Sequence, residues 1–318
     1  MTFSQNVKQE ILKSVTSLPD CCKRAFVSGC IKGSGSLELL HGKMSGIVES
    51  ESAELIETIA ELVSRLYGEG KDITESNRQL SVKPIYQYRV SAKALVECDF
   101  VNINAEGLYS LNDGIAKKLL RSECCKRSYL KGLFCSCGYV IMPEKLDSLD
   151  SASISAHYHL ELSLNSVEAC EQVYKLLLAF KIPSKVALRK SGAIVYLKGS
   201  EEIADLLVVF GAYTAKMELE NVKIERQMRN DANRQTNCIS ANIDKAVATA
   251  FSQIEAIEQL QKRGTLQLLD EKLKTIAMAR LNNPEATLAE LAEEVGLSKS
   301  GARHRLNKLM EILQETKE

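Results

Sequence analysis

Apolar positions along this chain switch between two periods, and each switch predicts an element. Leu55, Ile59, Leu62, Val63 and Leu66 share one face at helical spacing, which predicts an amphipathic helix over residues 53–67. Around it the period drops to two in SLELLH (36–41), GIVES (46–50) and IYQYRV (85–90), the alternation of half-buried strands, and a further helix opens at Ser91. The same succession then returns. YVIM (139–142) and YHLELSL (158–164) read as strands, residues 167–180 as a helix, PSKVALRKSGAIVYLKG (183–199) as a hairpin turning at Ser191-Gly192, and another helix opens at Ser200. From about residue 214 strand signals stop. Residues 220–234 read as a highly charged helix, and residues 241–263 as an amphipathic one with Ala246, Ala250, Ile254, Ile257 and Leu260 inward. Between them Asn233, Asn237 and Asn242 are expected to interrupt the helix, because asparagine side chains compete for nearby backbone groups. Gly264-Thr265 marks a break, and a helix over 268–281 ends at Asn282-Asn283-Pro284.

The recurrence is also literal. Residues 21–35 read CCKRAFVSGCIKGSG and residues 124–138 read CCKRSYLKGLFCSCG, with six of fifteen positions identical at an offset of 103 residues. Each half therefore reads helix-strand-strand-helix-strand-strand-helix. Gly29 and Gly132 occupy equivalent helical positions, each followed six residues later by a second glycine, Gly35 or Gly138. A glycine inside a helix costs about 1 kcal/mol against alanine, so a matched pair points to two backbones packed against each other. The two helices are expected to lie along a pseudo-twofold axis, with the second glycine ending each.

These matched helices resemble the LAGLIDADG motif of homing endonucleases over roughly residues 20–215. That resemblance implies an αββαββα fold for each half. In active members of that family the residue before the closing glycine is an acid in each half, and the two carboxylates hold divalent metal over the scissile phosphates. Here those positions are Ser34 and Cys137, neither of which replaces a hard-metal oxygen ligand, and Glu38 nearby has no counterpart in the second copy. No catalytic residue and no metal ligand is expected.

The most informative stretch is TLAELAEEVGLSKSGARHRLNKLMEIL (287–313). Thr287 with Glu290 three residues on forms a capping box, and Leu288, Leu291, Ala292 and Val295 make a buried face. Gly296 turns the chain, Ser298 caps a second helix, and Ala302, Leu306 and Leu309 form its inner face. Helix, glycine turn and helix at this spacing read as a helix-turn-helix. The second helix carries Lys299, Ser300, Arg303, His304, Arg305, Asn307 and Lys308, with no acid between Glu294 and Glu311. Arg and Asn suit base edges in a major groove, while Lys and Ser suit phosphates. The first helix, with Glu290, Glu293 and Glu294, is acidic and expected to face solvent more than DNA. The whole span Thr287–Leu309, including Ala289, Leu297 and Gly301, is the expected DNA-binding segment.

A lobe without its acids, a joint reading NRQTNCISANIDK (233–245) and a helix-turn-helix reading LSKSGARHRLNKL (297–309) together closely resemble the WhiA family. The resemblance implies a non-enzymatic binder of double-stranded DNA. It also implies a role in developmental transcription in sporulating actinobacteria, or in cell division and chromosome segregation in Firmicutes. The expected fold class is α+β: two LAGLIDADG-like halves (1–110 and 111–215), linker helices (216–265) and an all-α helix-turn-helix domain (266–318). Other regulatory proteins are candidate partners of the lobe.

Composition changes this picture little. Lys+Arg and Asp+Glu both total 41 in 318 residues, so any basic surface must be local. Residues 172–200 are one such stretch, with Lys175, Lys181, Lys185, Arg189, Lys190 and Lys198 and no acid; a phosphate contact and a merely solvated face are both open readings. No apolar run has the roughly 18 residues of a membrane span and the start lacks a cleavable apolar core, so a cytoplasmic, nucleoid-associated protein is expected. The ten cysteines read as reduced, mostly core thiols: Cys21-Cys22, Cys124-Cys125 and Cys135-x-Cys137 all lack the C-x2-4-C spacing of structural zinc sites. His157-x-His159 lacks a third ligand, and with neither a Walker A loop nor a Rossmann fingerprint, no cofactor or small-molecule substrate is expected. Two other functions remain open: an endonuclease with a rearranged metal site using Glu38, and a module whose lobe binds protein.

Overall fold

A computed structural model describes residues 1–40, 43–76, 84–143 and 157–315. His41, placed above in the first strand, and residues 316–318, placed in the last domain, lie outside them. The chain divides into two compact units, Met1–Glu225 and Arg226–Glu318.

In the first unit, α1 (Phe3–Val15) starts at a capping box between Thr2 and Gln5 that the sequence reading had not singled out. Then come α2 (Asp20–Ser34), β1 (Gly35–Leu40), β2 (Lys43–Ser50), α3 (Ala53–Tyr67), β3 (Ile73–Ser76), β4 (Ile85–Ser91) and α4 (Ala92–Glu97). A small hairpin, β5 (Val101–Ile103) and β6 (Tyr109–Leu111), leads to the repeat: α5 (Glu123–Cys137), β7 (Gly138–Ile141), β8 (His159–Leu164), α6 (Val167–Ala179), β9 (Lys185–Arg189), β10 (Gly192–Leu197) and α7 (Ser200–Phe210). The two halves form sheets of identical antiparallel topology, β1-β2-β4-β3 and β7-β8-β10-β9. Each half has the expected αββαββα order. The β9–β10 turn is one residue earlier than expected, at Lys190-Ser191, because Gly192 already pairs with Arg189.

α2 and α5 pack against each other through backbone. A Cβ added to Gly29 would stand 2.3 Å from the Tyr129 carbonyl oxygen, and one added to Gly132 would stand 2.1 Å from that of Phe26. Only glycine permits this approach. Phe26, Ile31, Tyr129 and Phe134 are fully buried around the crossing.

α8 (Tyr213–Lys262) begins where the Glu10 carboxylate accepts hydrogen bonds from the Thr214 and Ala215 amides at 2.8 and 3.0 Å. It corrects one expectation: Asn233, Asn237 and Asn242 do not interrupt it, and its residues 227–249 are exposed throughout. Ala246, expected inward, is exposed, whereas Ile257 and Leu260 are fully buried. Gly264, at φ 72°, breaks the chain as expected; a 3-10 turn (Thr265–Leu268) then precedes α9 (Glu271–Asn282), which starts later than residue 268. α10 (Leu288–Glu294) and α11 (Lys299–Glu315) complete the second unit. Its core joins Ile257 and Leu260 of α8, Leu273, Ile276 and Ala277 of α9, Leu291 and Ala292 of α10, and Ala302, Leu306, Leu309 and Leu313 of α11.

Candidate nucleic-acid interface

Local chemistry fixes the helix-turn-helix. The Thr287 amide donates to Glu290 Oε2 at 2.7 Å and the Glu290 amide donates to Thr287 Oγ1 at 3.3 Å, closing the capping box. Those contacts hold the exposed Glu290 carboxyl below the usual carboxylate range. Gly296 turns the chain at φ 68°, and the Leu297 amide donates to the Ala292 carbonyl at 2.7 Å across the turn. Ser298 Oγ accepts from the Gly301 amide at 3.1 Å and starts α11.

The structure sorts the span Thr287–Leu309 by exposure. Leu291, Ala292, Ala302, Leu306 and Leu309 are buried and cannot touch a ligand without unfolding the core. Leu288, Val295 and Leu297 pack against that core. Lys299, Ser300, Arg303, His304, Asn307 and Lys308 are exposed. Arg305 is half-buried and lies roughly 200° around the helix from Arg303, so the two arginines cannot present to one surface as an equal pair. Glu293 and Glu294 are exposed on α10, and Glu294 accepts a hydrogen bond from Asn283 Nδ2 at 2.9 Å.

Two concavities flank the exposed ridge of α11. One, of 720 Å³, is lined by Lys299, Arg303 and Asn307 together with Thr287, Leu288 and Ala289, Arg280 of α9, and Asn242, Lys245, Ala246, Thr249 and Gln253 of α8. The other, of 760 Å³, is lined by Ser298, Lys299, Ser300, Arg303, His304 and Asn307. Among the described residues no acid lines either. Arg280 is 2% exposed; its Nη1 donates to the Ala286 carbonyl at 2.6 Å, while Arg280 Nε and Gln253 Oε1 lack a hydrogen-bond partner among the described residues. The residues of α8 in this groove were missed as site residues. They were read as a joint, and only continuous helix places Asn242, Lys245 and Thr249 on one face at spacings of three and four.

In the first unit, the two positions where acids were sought carry side chains that bond back to their own helix. Ser34 Oγ donates to the Cys30 carbonyl at 3.4 Å, and Cys137 Sγ to the Leu133 carbonyl at 3.2 Å. Burial pushes the Cys137 thiol up to about 12. Glu38 is held by Arg89 Nη2 at 3.0 Å. In the basic hairpin, Arg189 pairs with Glu161 at 2.7 Å, which removes one free charge, and His159 Nε2 sits 3.0 Å from the same carboxylate. His157 is exposed. Among the described residues, one set of metal-competent side chains converges, and it is neither of these: Cys21, Cys22, Cys124 and Cys125 bring their sulfurs within 4.8 Å of one another. No helix among the described residues is long and apolar enough to cross a membrane.

Comparison with known proteins agrees with this division. Residues 20–98 match the WhiA N-terminal LAGLIDADG-like domain, residues 126–229 the WhiA LAGLIDADG-like domain, and residues 232–313 the WhiA C-terminal HTH domain. The probable cell division protein WhiA of Bacillus subtilis is 34% identical over 99% of this chain and 97% of its own. That of Caldicellulosiruptor saccharolyticus is 31% identical over 99% and 95%. The crystal structure of full-length DUF199/WhiA from Thermatoga maritima has the same fold, with TM-score 0.55 and 22% identity over 99% of both chains. The C-terminal match begins at residue 232, inside α8, so the asparagine-bearing stretch belongs with the helix-turn-helix match. With models for all three segments matched in order and relatives aligned almost end to end, the chain belongs to the WhiA family.

Proposed function

We propose that this protein is a non-enzymatic, sequence-selective DNA-binding protein that serves cell division, as the names of its Bacillus relatives suggest. The observation that carries the reading is the acid-free surface of the first turns of α11, Lys299–Lys308. Lys299, Ser300, Arg303, His304, Asn307 and Lys308 stand exposed on a helix whose opposite side is locked into a core. A helix of this kind enters a major groove with its N-terminal residues on base edges. Arg303 and Asn307, one turn apart, have the donor and acceptor geometry for guanine and adenine edges; Lys299, Ser300 and Lys308 suit phosphates. Asn242, Lys245 and Thr249 extend the same surface onto α8, so the DNA-binding segment includes residues outside Thr287–Leu309. The boundaries we propose for function are a LAGLIDADG-like scaffold up to about residue 215 and a DNA-reading unit that includes the second half of α8.

The scaffold does no metal-dependent cleavage in this reading, because Ser34 and Cys137 supply no carboxylate and bond back to their own helices, and Glu38 pairs with Arg89. Fluorescence anisotropy on labelled genomic fragments, titrated in salt with and without magnesium, tests both halves of the proposal on the full chain. Binding that falls steeply with salt, is weakened in Arg303→Ala, and leaves DNA intact on a gel is the expected result. Binding unaffected by Lys299→Ala, Arg303→Ala and Asn307→Ala together would refute the α11 assignment, and magnesium-dependent nicking would refute the non-enzymatic one.

A further inference from the structure

Four sulfurs meet where α2 and α5 begin. Cys21 and Cys22 are the second and third residues of α2, and Cys124 and Cys125 are the second and third residues of α5. Their ligand atoms all lie within 4.8 Å of one another, with Cys21 and Cys22 Sγ 4.0 Å apart. Cys22 and Cys125 are buried and Cys21 and Cys124 are exposed, so the cluster has an apolar floor and an open mouth. Core packing accounts for the two buried thiols. It does not account for two solvent-exposed cysteines placed over them by symmetry.

We propose that Cys21, Cys22, Cys124 and Cys125 form a tetrathiolate site for a zinc ion that fastens the first LAGLIDADG-like half to the second at the start of their pairing helices. Zinc bound by four thiolates has Zn–S bonds of about 2.3 Å, which sets sulfur–sulfur separations of about 3.8 Å. The cluster therefore closes around the ion with movements of about 1 Å or less, within the reach of small χ1 adjustments. The donor set is wholly sulfur, which selects a soft or borderline cation and excludes magnesium and calcium. Each thiol releases its proton to solvent as its sulfur binds, so the loaded site carries two net negative charges. Both helix N-termini point their positive ends at that charge. The neighbouring carboxylates, which oppose it, are already engaged: Asp20 with Lys23 at 3.7 Å and Glu123 with Arg127 at 3.0 Å.

The full-length protein, reduced and stripped with a chelator, is titrated with cobalt and then with zinc. The expected result is one equivalent of cobalt per chain, sulfur-to-cobalt charge-transfer bands with the intense visible bands of tetrahedral coordination, and displacement by zinc. The double variant Cys21→Ser/Cys124→Ser, which changes only exposed positions, loses the bands, while Cys238→Ser, an exposed cysteine on α8, keeps them. Alkylation read by mass spectrometry supplies a second readout. Without metal, Cys21, Cys124 and Cys238 react; with zinc, labelling at Cys21 and Cys124 slows by roughly tenfold or more while Cys238 is unchanged. Absence of charge-transfer bands, their persistence in the double variant, or unchanged labelling with zinc overturns the proposal. A disulfide forming within the cluster in a chain that binds no metal overturns it as well and makes two of the four thiols a redox pair.

Discussion

Replacing Gly132 by alanine sets two effects of opposite sign against each other. Alanine in a helix interior is favoured over glycine by about 1 kcal/mol, so propensity alone predicts a more stable protein. The crossing of α2 and α5 predicts the reverse. The new methyl carbon would stand 2.1 Å from the Phe26 carbonyl oxygen and 3.0 Å from the Cys30 amide nitrogen, against an ordinary contact of 3.4 Å or more. Relief needs a shift of about 1.3 Å at the oxygen, the difference of those two distances. The obstacle is helical backbone on the partner side, so no rotamer change provides that shift; the helices must part, loosening Phe26, Tyr129 and Phe134 around them. Overpacking of this kind costs about 1–3 kcal/mol, and more where backbone must move, so after the propensity gain of about 1 kcal/mol a net loss of about 2 kcal/mol, from the upper end of that range, is expected. Calorimetry should show the transition of the larger unit falling by about 2–4 °C per kcal/mol. Gly29→Ala, 2.3 Å from the Tyr129 carbonyl oxygen, should behave alike, while Gly70→Ala, where the nearest atom is a flexible Asp72 oxygen at 3.5 Å, should change little. A Gly132→Ala protein that melts higher than the parent would show that the helices do not meet at this register.

Four further outcomes follow from the second unit. Arg303→Ala should weaken binding to a specific DNA site by about 1–3 kcal/mol, with a smaller effect for the half-buried Arg305→Ala, and equal losses in anisotropy titrations would contradict the face assigned to α11. Lys308→Ala should weaken binding across sequences alike and lower the slope of log affinity against log salt by about 1. Gly296→Ala, at φ 68° with nothing within 4 Å of the new methyl, should cost about 1–2 kcal/mol by backbone strain alone, and Gly296→Asn less, as urea unfolding of the two variants would show. Glu290 titrates below the ordinary carboxylate range because the Thr287 amide and side chain bind its charged form. A carboxyl depressed in the folded state stabilises above its unfolded pKa, and that contribution is lost as pH falls through the folded value. An NMR titration of Thr287→Ala should show Glu290 raised only part-way toward the ordinary range, because the backbone amide at 287 remains, and an unmoved midpoint would mean the Thr287 side chain does not stabilise the carboxylate.

The α+β architecture was legible because its signals are local and repeated: the period-two strands, Ser91 as a cap, Gly35 and Gly138 closing the pairing helices. The helix-turn-helix was legible for a similar reason, since capping box, glycine turn and serine cap each act within five residues. What escaped was decided at longer range. Asparagine costs a helix at most about 0.7 kcal/mol per residue against alanine, so three of them oppose α8 by about 2 kcal/mol. Leu219 and Val222 on one side, and Ile257 and Leu260 on the other, are each buried at 2% exposure or less. Packing at those ends outweighs the local preference, and the intervening residues follow because helix propagation is far easier than nucleation. Reading the asparagines as punctuation then hid Asn242, Lys245 and Thr249 from the list of surface residues.

The convergence of four cysteines escaped the sequence for a different physical reason. The C-x2-4-C spacing describes a loop that wraps a metal from one piece of chain, and it says nothing about ligands delivered by two helices related by symmetry. Once residues 21–35 and 124–138 are known to pair through Gly29 and Gly132, each matched position becomes a neighbour in space rather than a feature of one copy. That register places Ser34 and Cys137 at the closing end of the crossing, where the LAGLIDADG resemblance led us to look for two acids, and Cys21-Cys22 by Cys124-Cys125 at the other. The same alignment that reveals the missing carboxylates therefore reveals the sulfur cluster. The helix pair itself is held by its close crossing at Gly29 and Gly132 and by the buried Phe26, Ile31, Tyr129 and Phe134 around it. The proposed ion at its opening end would strengthen the one contact, backbone on backbone, that any insertion at Gly29 or Gly132 would break.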